Sequence, residues 1–224
     1  MAQSGELIVI TGPTGSGKTV TLEEHLARYH WIYGNVTLIK SEKDTRPTNG
    51  NSFSTNRPDL AETKRLSQIP KPIVAKKLKE VDIKNSVVIG IDEGQFFEDI
   101  ERVLEWVVVQ KKIVIVTILS LDWRGKPFNS LKIGGDPHTY ATGVGIIIDH
   151  ADCVERLRGT CKKCVEKAKA EGKPLSARKT RNAMYSARLT ESKDLIEIGG
   201  ADKYAAMCRE HFMEHYKFEF YNDD

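Results

Sequence analysis

The chain reads Gly12-Pro13-Thr14-Gly15-Ser16-Gly17-Lys18-Thr19 near its start, which matches the pattern G-x-x-x-x-G-K-[ST] at every fixed position. An apolar run of residues 7–10 precedes this stretch, and a helical pattern carrying Leu22 and Leu26 follows it. Glycines let backbone N–H groups surround phosphate oxygens, and the start of a helix adds favourable partial charge. We therefore expect a phosphate-binding loop for a nucleoside triphosphate, with Lys18 on the β/γ-phosphates and Thr19 on Mg²⁺. The alternative is a plain glycine-rich turn.

The composition is that of an ordinary globular chain. Its 224 residues allow one larger domain and a small appendage, and 40% are hydrophobic and 29% charged. No apolar run approaches the roughly 20 residues of a membrane helix, and the first residues lack the features of a secretory signal. The net charge of +3 is weak for a dedicated nucleic-acid binder. We expect a cytoplasmic protein with no membrane association and no stable nucleic-acid partner.

The first two thirds of the chain alternate apolar runs with helical patterns. This order predicts a parallel α/β sheet, a fold typical of phosphate-loop nucleotide-binding domains. The pattern predicts a helix over 98–110 and strands over 35–40, 73–75, 87–91 and 113–121. The polar stretch from Ser41 to Gln68 is expected to be a loop or a partly mobile lid.

The remainder is expected to form a second, smaller unit. A short strand is predicted over 146–148, at the end of the first unit. Within the second unit, strands are predicted over 154–157 and over Leu195 to Ile198. After Gly199-Gly200 the pattern predicts a helix bearing Cys208 and His211. We divide the chain into a nucleotide-binding domain of residues 1–150 and a C-terminal domain of residues 151–224.

Two acids follow the buried strand predicted over 87–91. Ligands of open α/β sheets sit outside the carboxyl ends of the strands, so Asp92 and Glu93 should lie beside the phosphate loop. Asp92 is placed to hold Mg²⁺ through water, and Glu93 is free to accept a proton from an attacking hydroxyl. Many phosphate-loop ATPases use such a pair to activate water, so both hydrolysis and phosphoryl transfer remain open, and a purely structural pair is a third reading.

The cysteines suggest a metal site. Cys161-x-x-Cys164 and Cys208-x-x-His211 are two pairs with a spacing suited to one tetrahedral Zn²⁺. Four protein ligands leave no open position, so the zinc should be structural and should stabilise the small C-terminal domain. Incidental surface thiols are the alternative. Cys153, in an apolar run, is expected to be a buried thiol outside this site.

Together these motifs resemble the type II (cytosolic, zinc-containing) thymidine kinases over most of residues 5–211. The resemblance is carried by the phosphate loop, the CxxC pair and four further segments: Lys43-Asp44-Thr45-Arg46, Gly90-Ile91-Asp92-Glu93-Gly94-Gln95-Phe96-Phe97, Lys126-Pro127-Phe128 and Ile198-Gly199-Gly200-Ala201-Asp202-Lys203-Tyr204. It implies transfer of the ATP γ-phosphate to the 5′-hydroxyl of thymidine. It also implies a homo-oligomer, usually a tetramer, and inhibition by thymidine triphosphate.

The resemblance assigns roles residue by residue. It implies that Glu93 is the general base and that a loop between Cys164 and Leu195, anchored by the zinc domain, covers the base. The residues placed around ATP, with the phosphate loop, are Asp44, Thr45, Arg46, Asp92 and Gln95. The residues placed around the nucleoside are Phe96, Leu121, Trp123, Leu195, Ile196, Glu197, Ile198, Gly199 and Tyr204.

One departure from the family concerns the phosphate loop, where Met followed by an aromatic residue is usual and this chain has Thr14 and Gly15. Two rival functions also remain. A zinc-bearing phosphate-loop ATPase acting on nucleic acid is suggested by the Asp-Glu-x-Gln signature and by the basic run from Arg178 to Arg188. A catalytically silent nucleotide-binding module is disfavoured because Lys18 and both strand-end acids are intact.

Overall fold

A parallel sheet of six strands dominates the described part of the chain, which comprises residues 4–45, 70–128, 143–176, 179, 181–194 and 197–216 of a computed structural model. The strands are β1 (Glu6–Thr11), β2 (Val36–Ser41), β3 (Ile73–Ala75), β4 (Val88–Asp92), β5 (Ile113–Ile118) and β6 (Cys153–Arg156). Their order in the sheet is β3-β2-β4-β5-β1-β6. The parallel α/β sheet predicted from the sequence is confirmed.

Helices cover both faces of this sheet. Helix α1 (Lys18–Tyr33) packs Leu22 and Leu26 against Ile8 and Ile10 of β1 on one face. Helices α2 (Val103–Val108) and α3 (Gly143–Asp149) pack on the other face, which the alternate residues of β1 line. Both faces are buried, which explains why these strands are continuously apolar in sequence.

Helix α1 packs closely against β4 at Gly90. A Cβ atom at this position would lie 2.6 Å from Cδ1 of Leu26, so a larger residue would require the Leu26 side chain or the helix to shift. Glycine at this position therefore permits the close approach of α1 to the strand that ends at Asp92.

The C-terminal unit has its own small core. It contains α4 (Lys162–Ala170), an antiparallel hairpin of β7 (Tyr185–Arg188) and β8 (Tyr204–Met207), and α5 (Arg209–His215). Ala187, Met207 and Phe212 are buried there together with the cysteines of the predicted metal site.

β6 pairs with β1 and so extends the large sheet, although it falls after residue 150. The division of the chain at that residue stays a prediction.

Several local predictions are wrong. Residues 146–148 belong to helix α3 and not to a strand, because Val144 and Ile147, three residues apart, bury the same helical face. The segment after Gly200 first forms strand β8, which pairs with β7, so the helix begins only at Arg209. Residues 98–110 contain a 3₁₀ turn, Ile100–Arg102, before the short α2.

Cys153 is exposed and not buried, because it begins β6, which is an edge strand of the sheet. Within the described residues, no helix combines the length and the apolar character that crossing a membrane requires.

Candidate active site

The phosphate loop connects β1 to α1, as its sequence predicts. Gly15 and Gly17 have φ angles of 72° and 96°, which side chains rarely tolerate, so these two glycines permit the turn. Lys18 is 6% exposed, and its Nζ donates to the carbonyl oxygens of Gly12 at 3.0 Å and Pro13 at 3.2 Å. The ammonium group is therefore held against the backbone of the loop.

The acid pair ends β4, beside the start of α1. Asp92 is 1% exposed and Glu93 7% exposed. The Thr19 hydroxyl donates to Oδ1 of Asp92 over 3.4 Å, so these two oxygen groups lie together beside the phosphate loop. A hydroxyl and a carboxylate next to a phosphate loop are the oxygen ligands that Mg²⁺ prefers, so the donor set fits this ion.

Glu93 is held in a restricted conformation. Its φ of 52° lies in the left-handed region, which is uncommon for a residue with a side chain. Its backbone N–H donates to Oγ1 of Thr117 at 2.9 Å, and Nε2 of Gln95 donates to its Oε2 at 2.5 Å. Oε1 of Gln95 in turn accepts from the Leu119 backbone at 3.0 Å. Gln95 thus orients Glu93, and its predicted contact with ATP stays a prediction.

Glu93 lines a cleft that is open to solvent. The cleft lies between the carboxyl end of the sheet and the C-terminal unit. The predicted site residues that line it, with Glu93, are Thr14, Asp44, Phe96, Leu121, Trp123, Glu197, Ile198, Gly199 and Tyr204. Four lining residues were not assigned to the site from the sequence, namely Leu119, Asp122, Phe128 and Ser186.

Asp44, Thr45 and Arg46 are predicted to lie near the phosphates, and the first two are among the described residues. Asp44 is buried, and its Oδ2 lies 3.1 Å from Nζ of Lys40. Thr45 follows it in an exposed position, and Arg46 lies outside the described residues. Leu195 and Ile196, predicted to contact the nucleoside, also lie outside them.

Arg188 organises the C-terminal wall of the cleft. It is 2% exposed, and its guanidinium donates to the backbone oxygens of Ser192 and Asp194 and to the Tyr204 hydroxyl. The Tyr204 hydroxyl in turn donates a hydrogen bond to the Glu197 carbonyl oxygen at 2.8 Å. The buried Arg188 therefore holds Tyr204, and Tyr204 holds the main chain of the cleft at Glu197.

Trp123 connects this wall to the end of the sheet. Its Nε1 donates to the Asp194 carbonyl at 3.1 Å, and the Arg188 guanidinium lies 4.7 Å from its ring centroid. Asp122 shapes the preceding turn by accepting hydrogen bonds from the backbone of Arg124 and Lys126. Trp123 therefore lines the cleft and holds its C-terminal wall at the same time.

Ser186 joins the phosphate loop to the C-terminal unit. Its Oγ accepts a hydrogen bond of 2.8 Å from the backbone N–H of Thr14. No local motif marked Ser186, because its partner lies 172 residues away in the chain. Thr117 could have been found from the sequence, because it is the hydroxyl residue of an otherwise apolar buried strand.

A further acid lies close to these groups. Glu23 follows Thr19 by one helical turn on α1 and is 8% exposed. Burial raises the pKa of Glu23 to about 7, and the negative charges of Asp92 and Glu24 add to the rise. Glu23 can therefore take up a proton near neutral pH.

The predicted metal ligands come together at the starts of two helices. Nδ1 of His211 lies 3.3 Å from the sulfurs of Cys161 and Cys208 and 3.5 Å from that of Cys164. The ligand atoms of all four residues lie within 4.8 Å of one another. Tetrahedral zinc, with bonds of about 2.0–2.3 Å, separates its ligands by roughly 3.3–3.8 Å, so these residues fit that ion. Cys153 lies outside the cluster.

Comparison with known proteins gives consistent matches. A family model described as thymidine kinase matches residues 5–212. The chain is 31% identical to "Thymidine kinase 1" of Dictyostelium discoideum, over 92% of this chain and 77% of that protein. It is 30% identical to "Thymidine kinase, cytosolic" of Homo sapiens, over 92% and 72% respectively. It is also 30% identical to the thymidine kinase of Fowlpox virus (strain NVSL), over 93% and 97%.

Proposed function

The chain belongs to the thymidine kinase family, and on this premise we propose that it transfers the γ-phosphate of ATP to the 5′-hydroxyl of thymidine. The observation that carries the proposal is the position of Glu93. Its carboxylate is held by Gln95 in a cleft that Thr14 of the phosphate loop borders on one side and residues 197–199 with Tyr204 border on the other. A base between a phosphate site and a second pocket is the arrangement that transfer to a hydroxyl requires.

The phosphate loop, Lys18 and Glu93 have different tasks in the phosphoryl transfer. Backbone N–H groups of the phosphate loop and Nζ of Lys18 bind the β- and γ-phosphates. The Glu93 carboxylate accepts the proton of the 5′-hydroxyl while that oxygen bonds to the γ-phosphorus. The bond between the γ-phosphorus and the β–γ bridging oxygen breaks, and ADP and thymidine monophosphate are the products. The backbone bond to Thr117 and the side-chain bond to Gln95 keep Glu93 aligned during this step.

A metal ion completes the phosphate site. Thr19 and Asp92 would hold Mg²⁺, Thr19 directly and Asp92 through water. When bound, this ion neutralises charge that develops on the phosphate oxygens. The C-terminal cluster would hold one structural Zn²⁺ through Cys161, Cys164, Cys208 and His211, and would fix the start of α4 relative to the start of α5.

The nucleoside would occupy the part of the cleft between the sheet and the C-terminal unit. Phe96, Leu121 and Trp123 offer apolar surface, and the backbone of residues 197–199 offers hydrogen-bonding groups. Backbone groups paired with a pyrimidine edge reject a purine, because the wrong base leaves them unpaired. Fixed main chain at Glu197 supports this mode of recognition.

Other properties follow from the family. Relatives named "Thymidine kinase, cytosolic" support a cytoplasmic location. We also propose a homo-oligomer, of which a tetramer is the expected form, and feedback inhibition by thymidine triphosphate. The nucleotide-binding and C-terminal domains would divide near residue 150, with β6 at the border.

A nucleoside panel tests the proposed function. Purified protein with Mg²⁺ and ATP should form ADP only when a nucleoside is added, with thymidine giving the highest kcat/KM. Turnover that depends on single-stranded DNA, and not on nucleoside, would instead favour the nucleic-acid ATPase. Absence of turnover under every condition would favour a silent binding module. The family match disfavours both rivals.

A further inference from the structure

Thr117 is the polar residue of β5 nearest the two acids. It is completely buried, and the other residues of the strand are aliphatic: Ile113, Val114, Ile115, Val116 and Ile118. Ile91 pairs with Val116, which places the next residues, Asp92 and Thr117, side by side at the carboxyl end of the sheet. Burying a hydroxyl among aliphatic side chains costs free energy unless the hydroxyl makes hydrogen bonds.

The hydroxyl of Thr117 bonds to both acids. Oγ1 accepts from the backbone N–H of Glu93 at 2.9 Å and lies 2.7 Å from Oδ1 of Asp92. A backbone N–H can only donate, so the single hydroxyl proton is available to the Asp92 carboxylate. One side chain therefore touches the acid on the magnesium side and the acid on the base side.

We propose that Thr117 is a positioning residue that sets the geometry of Asp92 and Glu93 relative to each other. The inference rests on the proposed function, in which these two acids serve one phosphoryl transfer. By donating to Asp92, Thr117 directs that carboxylate toward Thr19 at the start of α1. By accepting from Glu93, it anchors a residue whose φ of 52° is otherwise unfavourable. Thr117 does not line the cleft, so it acts through the acids and not on the nucleoside.

Three variants separate this role from simple filling of the core. Thr117→Val keeps the shape but removes the hydroxyl, Thr117→Ser keeps the hydroxyl but removes a methyl group, and Thr117→Ala removes both. Thr37→Val is the matched control. It makes the same change in β2 of the same sheet, where the Thr37 hydroxyl bonds to Ser86 at 2.6 Å, far from the acids.

The measurements are kcat and KM for thymidine, the Mg²⁺ concentration that gives half-maximal rate, and the melting temperature. We expect Thr117→Val and Thr117→Ala to lower kcat by about 10- to 100-fold, since small misplacements of reacting groups have effects of this size. KM for thymidine should change less than kcat, and the Mg²⁺ requirement should rise. Thr117→Ser should retain most of the wild-type kcat. Thr37→Val should match wild type in kcat, KM and Mg²⁺ requirement, whatever its melting temperature.

Several outcomes would overturn the inference. One is a folded Thr117→Val with wild-type kcat and Mg²⁺ requirement. If that variant does not fold, Thr117→Ala is compared with Thr117→Ser, and equal rates contradict the proposal. If neither Thr117→Val nor Thr117→Ala folds, the result also counts against the proposal, because a purely structural role of Thr117 would then explain the hydroxyl. Wild-type protein without thymidine-dependent turnover would contradict the proposed function itself, which is a separate result.

Discussion

Trp123 donates a hydrogen bond from its indole Nε1 to the backbone oxygen of Asp194, 71 residues further along the chain, at 3.1 Å. This bond connects the turn after β5 with the segment that Arg188 holds against the cleft. The end of the sheet and the C-terminal wall of the cleft are therefore joined directly.

Removal of this bond should weaken nucleoside binding. Trp123→Phe keeps an aromatic ring beside Arg188 but loses the indole N–H. A typical hydrogen bond contributes about 0.5–1.5 kcal/mol, so KM for thymidine should rise roughly 2- to 12-fold, with kcat less affected. Trp31→Phe is the control, since Trp31 is 87% exposed. An unchanged KM in Trp123→Phe would show that the bond does not shape the pocket.

Residue 14 should influence discrimination between pyrimidines. Thr14 lines the cleft, where the family usually has Met, so the pocket should have more room near the 5-position of the base. Hydrophobic recognition of one methyl group contributes about 1–3 kcal/mol. We expect Thr14→Met to increase the preference for thymidine over deoxyuridine and over bulky 5-substituted deoxyuridines, measured as ratios of kcat/KM. If these kcat/KM ratios are unchanged in Thr14→Met, residue 14 does not contact the base.

The C-terminal cluster should bind one zinc per chain. Metal analysis of purified variants should find zinc in Cys153→Ser, whose thiol lies outside the cluster, but a reduced content in Cys161→Ser and His211→Ala. Chelation should loosen the C-terminal unit and raise KM for thymidine. Zinc retained in His211→Ala and lost from Cys153→Ser would be the opposite of the proposed ligand set.

Glu23 should make stability depend on pH. Its pKa rises from an ordinary value of 4.5 to about 7 on folding, mainly through burial, so the folded state holds a proton that the unfolded state releases. Stability from this group is therefore present at low pH and is lost as pH rises from about 4.5 to about 7. In zinc-containing protein without Mg²⁺, the melting temperature of Glu23→Gln should exceed that of wild type by more at pH 8 than at pH 5. A difference independent of pH would contradict this.

Features encoded by short spacings were predictable from the sequence. The phosphate loop, the Asp92-Glu93 pair and the two metal-ligand pairs each depend on neighbours within a few positions. The apolar runs also identified the main strands, because parallel strands buried on both faces are continuously apolar.

Features that depend on distant partners were not predictable. The bonds from Ser186 to Thr14 and from Trp123 to Asp194 join segments that only the fold brings together. The three consecutive isoleucines at 146–148 fit a buried strand as well as a helix, and packing of Ile147 decided for the helix. Exposure of Cys153 followed from the position of β6 at the sheet edge, which its own sequence does not specify.

The central claim is that Glu93 accepts the proton of the thymidine 5′-hydroxyl, and Glu93→Gln tests it most directly. The amide keeps the shape of the side chain but cannot take the proton, so kcat at saturating substrates should fall by about 10²–10⁴-fold. ATP affinity should stay close to wild type. Glu98→Gln is the control, because the side chain of Glu98 is 55% exposed and pairs with Lys43 and Lys77. Turnover of Glu93→Gln near the wild-type rate would contradict the account.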